Sequence, residues 1–220
     1  MPRTITVKGI GKVSAAPDFV VLSMGLESQD MDYEKAMNIA SENIDNLNAA
    51  LEQVGFEKKS VKTTNFNVHT DYEYRRRKDG SNERVFNGYV VSHNLKVEFD
   101  FDSKRLAKAL SAVGSCLAHP QLSIAFTVKD ATAINEEMLR SATANAKRKA
   151  EILCDASGME LGTLLSIDYN WGELNVYSNT RYDMEEECLA APMMAKCAEI
   201  DMEPDDIDVS DTATFVWEIK

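Results

Sequence analysis

The sequence predicts an α+β fold, in which a mainly antiparallel sheet or sheets pack with one long N-terminal helix, a short middle helix and a long alanine-rich helix. Stretches of alternating apolar and polar residues recur along the 220 residues and are typical of half-buried strands. Three other stretches repeat apolar residues every three or four positions, as amphipathic helices do. No glycine-rich phosphate loop opens a helix, which excludes a parallel nucleotide-binding sheet.

The amino terminus predicts two strands. Ile5 and Val7 begin the first strand and Pro17 ends it. Gly9 and Gly11 are expected to permit a bend within it. The second strand alternates strictly, and the residues that share its apolar face are Val20, Leu22, Met24 and Leu26.

A long helix and a long hairpin come next. The helix lies between Asp32, a suitable cap, and Gly55, and its apolar stripe comprises Tyr33, Ala36, Met37, Ala40, Ile44, Leu47, Leu51 and Val54. Residues 61–101 then predict one hairpin, because two alternating strands flank an Asp-Gly turn. The tip of this hairpin protrudes and is basic (Arg75, Arg76, Arg77 and Lys78), and Tyr72 and Tyr74 lie on its stem.

The carboxyl-terminal half predicts two helices among further strands. The shorter helix runs from Ser103, its expected cap, to Val113. The longer helix runs from about residue 131 to Ser157, ends at Gly158, and has an apolar face formed by Ile134, Met138, Leu139, Ala142, Ala146, Ala150 and Leu153. The flanking strands are expected at 122–128, 165–171 and 213–219.

We expect residues 1–220 to form a single domain. Its halves, residues 1–101 and 102–220, both follow a strand–helix–strand order, which raises the hypothesis of two pseudo-repeated halves. Residues 173–206 are acidic and rich in methionine, and we expect a flexible loop there with a short helix near residues 190–198. Connections of this length are usually functional or disordered.

Composition excludes several classes of protein. The net charge is −12, from 36 acidic and 24 basic residues, which argues against nucleic acid or anionic lipid as a partner. No segment approaches the roughly 20 apolar residues of a transmembrane helix.

The amino terminus lacks an apolar signal region, which predicts a cytoplasmic protein; the alternative is an exported or periplasmic protein whose leader has been removed. Four cysteines without a paired spacing favour reduced, intracellular thiols.

No motif predicts catalysis, and we expect neither an enzyme nor a cofactor. His93 lies in the inward register of its strand between Val91 and Leu95, and the sequence nominates no nucleophile or carboxylate beside it. A structural histidine is the simpler interpretation, whereas a deep pocket holding His93 would indicate an enzyme.

A soft-metal site is the alternative chemistry. Cys188, Cys197, Met193 and Met194 lie in the acidic segment, and thiolate with thioether is the ligand set that Cu(I) prefers. No CxxC or MxxM spacing preorganises them. Two other interpretations of the same side chains are an adaptable protein–protein interface and a target for oxidants.

Several segments together resemble the SIMPL (DUF541) family, and within it the group of bacterial periplasmic and outer-membrane immunogenic proteins. Residues 6–18 are similar to the family's TVTGxGxVxxxPD, residues 63–74 to T-x-x-[FY]-x-V…Y-x-Y, and residues 88–97 to GYxxSxxxxV. Residues 126–158 resemble its alanine-rich helix, and residues 204–219 resemble its closing strand, with Asp205 where the family usually has glycine. The resemblance spans nearly the whole chain and brings no established catalytic motif.

The resemblance implies ring-like homo-oligomers and a role in oxidative-stress tolerance or at the cell envelope. We therefore predict a self-assembling protein that binds other proteins, including its own copies, through the hairpin tip. The basic tip of one copy can meet the acidic segment of another. The alternatives are a solvated tip that merely protects the sheet edge, and a metal- or redox-responsive protein that uses the acidic segment.

Overall fold

The computed structural model describes residues 3–77, 81–169, 175–184 and 203–220, with only the backbone at 183 and 184. These residues form an α+β fold, which confirms the predicted class. The strands are β1 (Thr4–Ala15), β2 (Phe19–Asp30), β3 (Lys62–Arg76), β4 (Asn82–Asp100), β5 (Gln121–Thr127), β6 (Leu161–Tyr169), β7 (Tyr177–Met184) and β8 (Ile207–Ile219). The helices are α1 (Tyr33–Gln53), α2 (Ser103–Ser115) and α3 (Thr132–Ser157), with a 3-10 turn at Lys58–Ser60.

The strands form two antiparallel sheets and the chain divides into two compact units. One sheet has the order β1-β8-β6 and the other β3-β4-β2-β5-β7. The first unit comprises residues 1–18, 127–179 and 204–220, and the second comprises residues 19–126 and 180–203. The repeat relationship between residues 1–101 and 102–220 stays a prediction.

The second unit has its core between one face of the five-stranded sheet and helices α1 and α2. Val20, Leu22, Met24 and Leu26 are buried as their alternation predicted. They pack with Leu47 and Leu51 of α1, with Leu106, Leu110 and Val113 of α2, and with Leu95, Val97 and Phe99 of β4. On the opposite face of the sheet Ser23, Glu27 and Asn94 are exposed.

The first unit packs α3 against β1 and β8, and Gly9 and Gly11 make this close packing possible. A Cβ atom at Gly9 would lie 2.2 Å from the carbonyl oxygen of Ala142, and one at Gly11 would lie 2.2 Å from that of Met138. β1 runs without interruption through both positions. The predicted bend is therefore wrong: the two glycines remove side chains where a helix backbone meets a strand.

The close approach lets α3 cover the free edge of β1. The Asn145 side chain accepts a hydrogen bond from the Ile10 amide (3.1 Å), and the Ser141 hydroxyl accepts one from the Lys12 amide (3.4 Å). Lys149 Nζ donates to the Lys8 carbonyl oxygen (3.1 Å). Backbone groups that point away from β8 thus find partners on the helix, which blocks pairing with another strand.

Two details of the helices differ from the prediction. Asp102, rather than Ser103, caps α2, because Asp102 keeps an extended backbone and its Oδ1 accepts from the Arg105 amide at 2.6 Å. On α3, Leu139 and Leu153 are 38% and 52% exposed. The buried stripe of α3 repeats every four residues from Met138 to Cys154, and it is too narrow to include its leucine flanks.

Two strands of the carboxyl-terminal half also differ from expectation. β7 lies inside the segment that we predicted to be a loop. The sequence did not predict this strand, because YSNTRYDM is polar and carries no strand-like apolar alternation. Ser178 of β7 is nevertheless buried and donates to the Asp205 carbonyl oxygen at 2.7 Å. In β6, Leu165 and Ile167 are more than half exposed.

None of the described helices, including the 21-residue α1 and the 26-residue α3, has an apolar stretch sufficient to span a bilayer.

Candidate functional site

The predicted hairpin is present, and its outer part extends beyond the rest of its sheet. β2 pairs with β4 only from Tyr89 to Asp100, whereas β3 pairs with β4 from Asn82 to Lys96. Residues 71–77 and 81–88 therefore form a two-stranded ribbon that we call the arm. The predicted interaction residues Tyr72, Tyr74, Arg75, Arg76 and Arg77 all lie on the arm, and Lys78 lies outside the described residues.

A polar cluster holds the base of the arm to β2. The Asp71 carboxylate accepts hydrogen bonds from Asn87 Nδ2 (2.7 Å), from the Tyr72 amide (2.8 Å) and from Gln29 Nε2 (3.3 Å). The ladder between β3 and β4 shifts register here, between Asp71 and Tyr72. The cluster therefore positions the arm where it leaves the five-stranded sheet.

These hydrogen bonds, led by that of Asn87, hold the pKa of Asp71 below its ordinary value. The unfolded chain then binds more protons than the folded chain at low pH. The contribution of Asp71 to stability is complete above its unfolded pKa and is lost as the pH falls through its folded pKa.

We expect Asp71→Asn to flatten the acid limb of the stability profile. Urea unfolding of wild type and variant at several values between about pH 5 and pH 2 measures this. Glu52→Gln, which removes an exposed carboxylate of α1, is the control and should leave the wild-type slope in place. Equal slopes for wild type and Asp71→Asn would contradict the assigned role of the cluster.

An aromatic ladder runs from α1 onto the arm. Ring centroids lie 5.6 Å apart for Tyr33 and Tyr89, 5.3 Å for Tyr89 and Phe86, and 5.6 Å for Phe86 and Tyr72. All three pairs meet edge to face. The Arg84 guanidinium then lies 3.8 Å from the centre of the Tyr72 ring. Successive ring contacts stiffen a ribbon beside which the described part of the chain places no third strand.

The arginines of the arm differ in how far they are neutralised. Arg77 binds Glu83 through two hydrogen bonds (2.8 and 2.5 Å), and this pairing holds the pKa of Glu83 below its ordinary value. Arg75 Nε lies 2.9 Å from Glu73 Oε2. Among the described residues, Arg76 has no ion-pair partner. Of the three described arginines of the predicted basic tip, Arg75 and Arg77 are thus paired within the arm, and Arg76 keeps its charge for another partner.

The arm offers an exposed aromatic residue, and the part of β3 that precedes the arm offers an open strand edge. Tyr74 is 70% exposed, and its ring contacts no other aromatic ring of the described chain. β3 is the outermost strand of its sheet, and its eight residues from Thr63 to Thr70 contain no acidic or basic side chain apart from His69. Tyrosine, arginine and an unprotected strand edge are features that protein interfaces use.

The family model described as "Protein of unknown function (DUF541)", named SIMPL, matches residues 5–217. The chain belongs to the SIMPL family. It is similar to the 26 kDa periplasmic immunogenic protein of Brucella melitensis biotype 1, at 27% identity over 166 residues. It is also similar to the protein of the same name from Brucella abortus strain S19, at 26% identity over 166 residues. Each match covers 76% of this chain and 66% of the relative, just under two thirds of the relative's length.

The remaining predicted site residues of this SIMPL protein lie elsewhere. His93 packs edge to face with Phe66 and lies 2.9 Å from the Thr63 hydroxyl, and burial lowers its pKa. Cys188, Cys197, Met193 and Met194 lie outside the described residues. Within the described ranges no three His, Cys, Asp or Glu side chains come together as a metal-ion site.

Several partners at the arm of this SIMPL protein were not predicted from the sequence. Phe86, Tyr89 and Arg84 belong to the ladder, and Glu73 and Glu83 neutralise two of the arginines. The Arg75–Glu73 pair, at i and i−2 on one strand face, could have been found from the alternation of β3. The Arg77–Glu83 pair could not, because it depends on the conformation of the hairpin.

Proposed function

We propose that this SIMPL protein is a non-enzymatic, self-assembling protein that associates through its arm. The observation that carries the proposal is that Tyr74 and Arg76 lie on a ribbon that extends beyond its sheet, directly after an open edge of β3. A monomer gains little stability from such a ribbon, since most of its side chains are exposed. A second copy supplies the surface that the ribbon lacks.

Strand addition is the contact that the edge of β3 favours. Natural sheets protect long edges with charges or by covering them, as α3 covers β1 in this chain. The uncharged stretch of β3 has no charges of this kind, and none of the described strands pairs with its outer edge. An extended segment of another copy therefore pairs with its free amide and carbonyl groups.

Charge adds direction to this contact. Arg76 meets carboxylates of the acidic segment of another copy, to which the described residues Glu203, Asp205 and Asp206 belong. A basic group on one surface and an acidic group on another produce a heterologous contact, and repeated heterologous contacts form a ring when the rotation between successive copies closes.

We further propose that the protein is exported and acts in stress tolerance or at the cell envelope. The names of the two Brucella relatives include the word periplasmic, which favours the exported alternative over the cytoplasmic prediction.

The second candidate function is a soft-metal- or redox-responsive role for Cys188, Cys197, Met193 and Met194. Bound copper measured after reconstitution under reducing conditions tests it, and metal-free protein would remove it.

We expect the native mass to be a multiple of 24.5 kDa and to decrease when Arg76 is replaced by Glu or Tyr74 by Ala. Size-exclusion chromatography with light scattering at low and high salt measures the mass. Higher salt should lower the native mass of wild type, as Arg76→Glu does, because exposed charge pairs are screened.

Lys104→Glu is the matched control, because it reverses an exposed charge on α2, away from the arm. Its mass should equal that of wild type. A wild-type monomer at both salt concentrations would refute self-assembly. Equal masses for wild type, Arg76→Glu and Tyr74→Ala would leave assembly in place and remove the arm from it.

A further inference from the structure

The face of the five-stranded sheet opposite α1 and α2 carries a groove of about 600 Å³ whose described lining contains no residue of the arm. We call it the amide groove. It crosses β3, β4 and β2 and reaches the first residue of β5, and its lining includes Gly25, Glu27, Asn65, Asn67, Asn94 and Gln121. Its volume falls within the range of about 300–1,000 Å³ that is usual for small-molecule sites.

The register places the amides in one row. Asn65 is paired with Asn94, and Asn94 is paired with Gly25. The position of a Cβ atom on Gly25 lies 3.8 Å from the Cβ of Gln121. Three amide side chains thus surround one glycine on four adjacent strands. The next row adds Asn67, Ser92 and Glu27.

These residue types are unfavourable for strands, and packing does not explain them. Asparagine and glycine are depleted in strands because they lack the branched or aromatic side chains that pack on a pleated surface. Gly9, Gly11 and Gly88 each face a backbone atom closer than 3.0 Å to the position of a Cβ. At Gly25 the nearest atom is the Asn94 side-chain oxygen, at 3.4 Å, so alanine would fit. The absence of a side chain there keeps the floor of the groove open.

The chemistry of the lining selects the kind of ligand. Among the described residues, the side-chain amides of Asn65, Asn67, Asn94 and Gln121 make no hydrogen bond to protein, and each offers donors and acceptors. Within the described lining Glu27 is the only charged residue, so these side chains provide neither the cations that bind an anion nor the carboxylate cluster that binds a metal ion. Paired donors and acceptors match vicinal hydroxyl groups, which also donate and accept.

We propose that the amide groove binds a neutral carbohydrate of two or three sugar rings. Asn94 and Gln121 hydrogen-bond its hydroxyl groups from either side of Gly25, and Glu27 accepts from a further hydroxyl. A sugar ring lies over Gly25, where a side chain would otherwise stand. The described lining of this site belongs to the second unit. It shares Asn65 and Asn67 with the edge of β3 proposed for strand addition, whereas Gly25 and Asn94 lie on β2 and β4, away from that edge.

The test measures binding of three neutral probes, maltotriose, cellotriose and triacetylchitotriose, to the full chain by saturation-transfer NMR and titration. At least one probe should bind. Gly25→Val should weaken it at least about tenfold, the equivalent of about 1.4 kcal/mol, because the new methyl groups occupy the floor. Asn94→Leu should weaken it similarly by removing hydrogen bonds at nearly constant volume.

Ser23→Val is the matched control, because Ser23 lies two residues away on the same face of β2 and outside the groove lining. It should bind like wild type, and circular dichroism should show all three variants folded. Failure of all three trisaccharides, equal binding by Gly25→Val and Ser23→Val, or equally tight binding of a neutral tripeptide would each overturn the proposal. None of these outcomes depends on the native mass, so the groove and the arm are tested separately.

Discussion

Gly9→Ala is expected to destabilise the first unit by about 3 kcal/mol, near the upper end of the usual cost of overpacking. The added Cβ would lie 2.2 Å from the Ala142 carbonyl oxygen and 2.8 Å from the Ala146 Cβ. Both atoms belong to α3, so the helix must move away from β1. That movement also breaks the hydrogen bond between the Ile10 amide and Asn145. Urea unfolding followed by circular dichroism measures the loss.

Gly25→Ala is the matched control for this substitution. It adds the same methyl group to a glycine in a strand, but its closest neighbour is the end of a side chain at 3.4 Å. We expect it to be neutral or slightly stabilising, since alanine loses less conformational entropy than glycine on folding. If Gly9→Ala and Gly25→Ala unfold at the same urea concentration as wild type, α3 does not pack on β1 as described.

Gly88→Ala is expected to cost about 2–4 kcal/mol and to disturb the base of the arm. Gly88 has φ of +116°, a conformation that costs a residue with a side chain about 1–3 kcal/mol. A Cβ there would also lie 2.6 Å from the Asp30 carbonyl oxygen, at the point where β4 leaves β2. The change in the midpoint of urea unfolding measures the total loss of stability. NMR shifts of the Asn87 and Gln29 side-chain amides show whether the Asp71 cluster has opened.

Gly55→Ala separates the two causes. Gly55 also has positive φ (+96°), but nothing lies within 4 Å of the position of its Cβ. This variant therefore reports the backbone cost alone, about 1 kcal/mol at the lower end of the range for such conformations. Equal losses for Gly55→Ala and Gly88→Ala would mean that contact with Asp30 contributes nothing, and that the arm is not held to β2 at this point.

The candidate site was partly predictable from sequence. Alternation placed Tyr72 and Tyr74 on one strand, and the composition of residues 75–78 marked a basic tip. Composition did not reveal that Arg75 and Arg77 are paired with Glu73 and Glu83, because a charge count does not show which side chains meet. The amide groove is not predictable from sequence, since each of its polar residues is an ordinary residue on the polar face of its own strand. Only the pairing of four strands places them together.

The sequence by itself determined the α+β class, the family and the burial of residues such as Val20, Leu22 and Leu47. These properties follow from local periodicity, because a strand or helix buries whichever face its own spacing makes apolar. The tertiary structure decided the role of Gly9 and Gly11, the exposure of Leu139 and Leu153, and the strand β7. Each of these features depends on contacts between residues distant in sequence. α3 lies against β1, and the polar strand β7 pairs with β5 as the last strand of its sheet. A pattern within one segment carries no information about the distance between two segments.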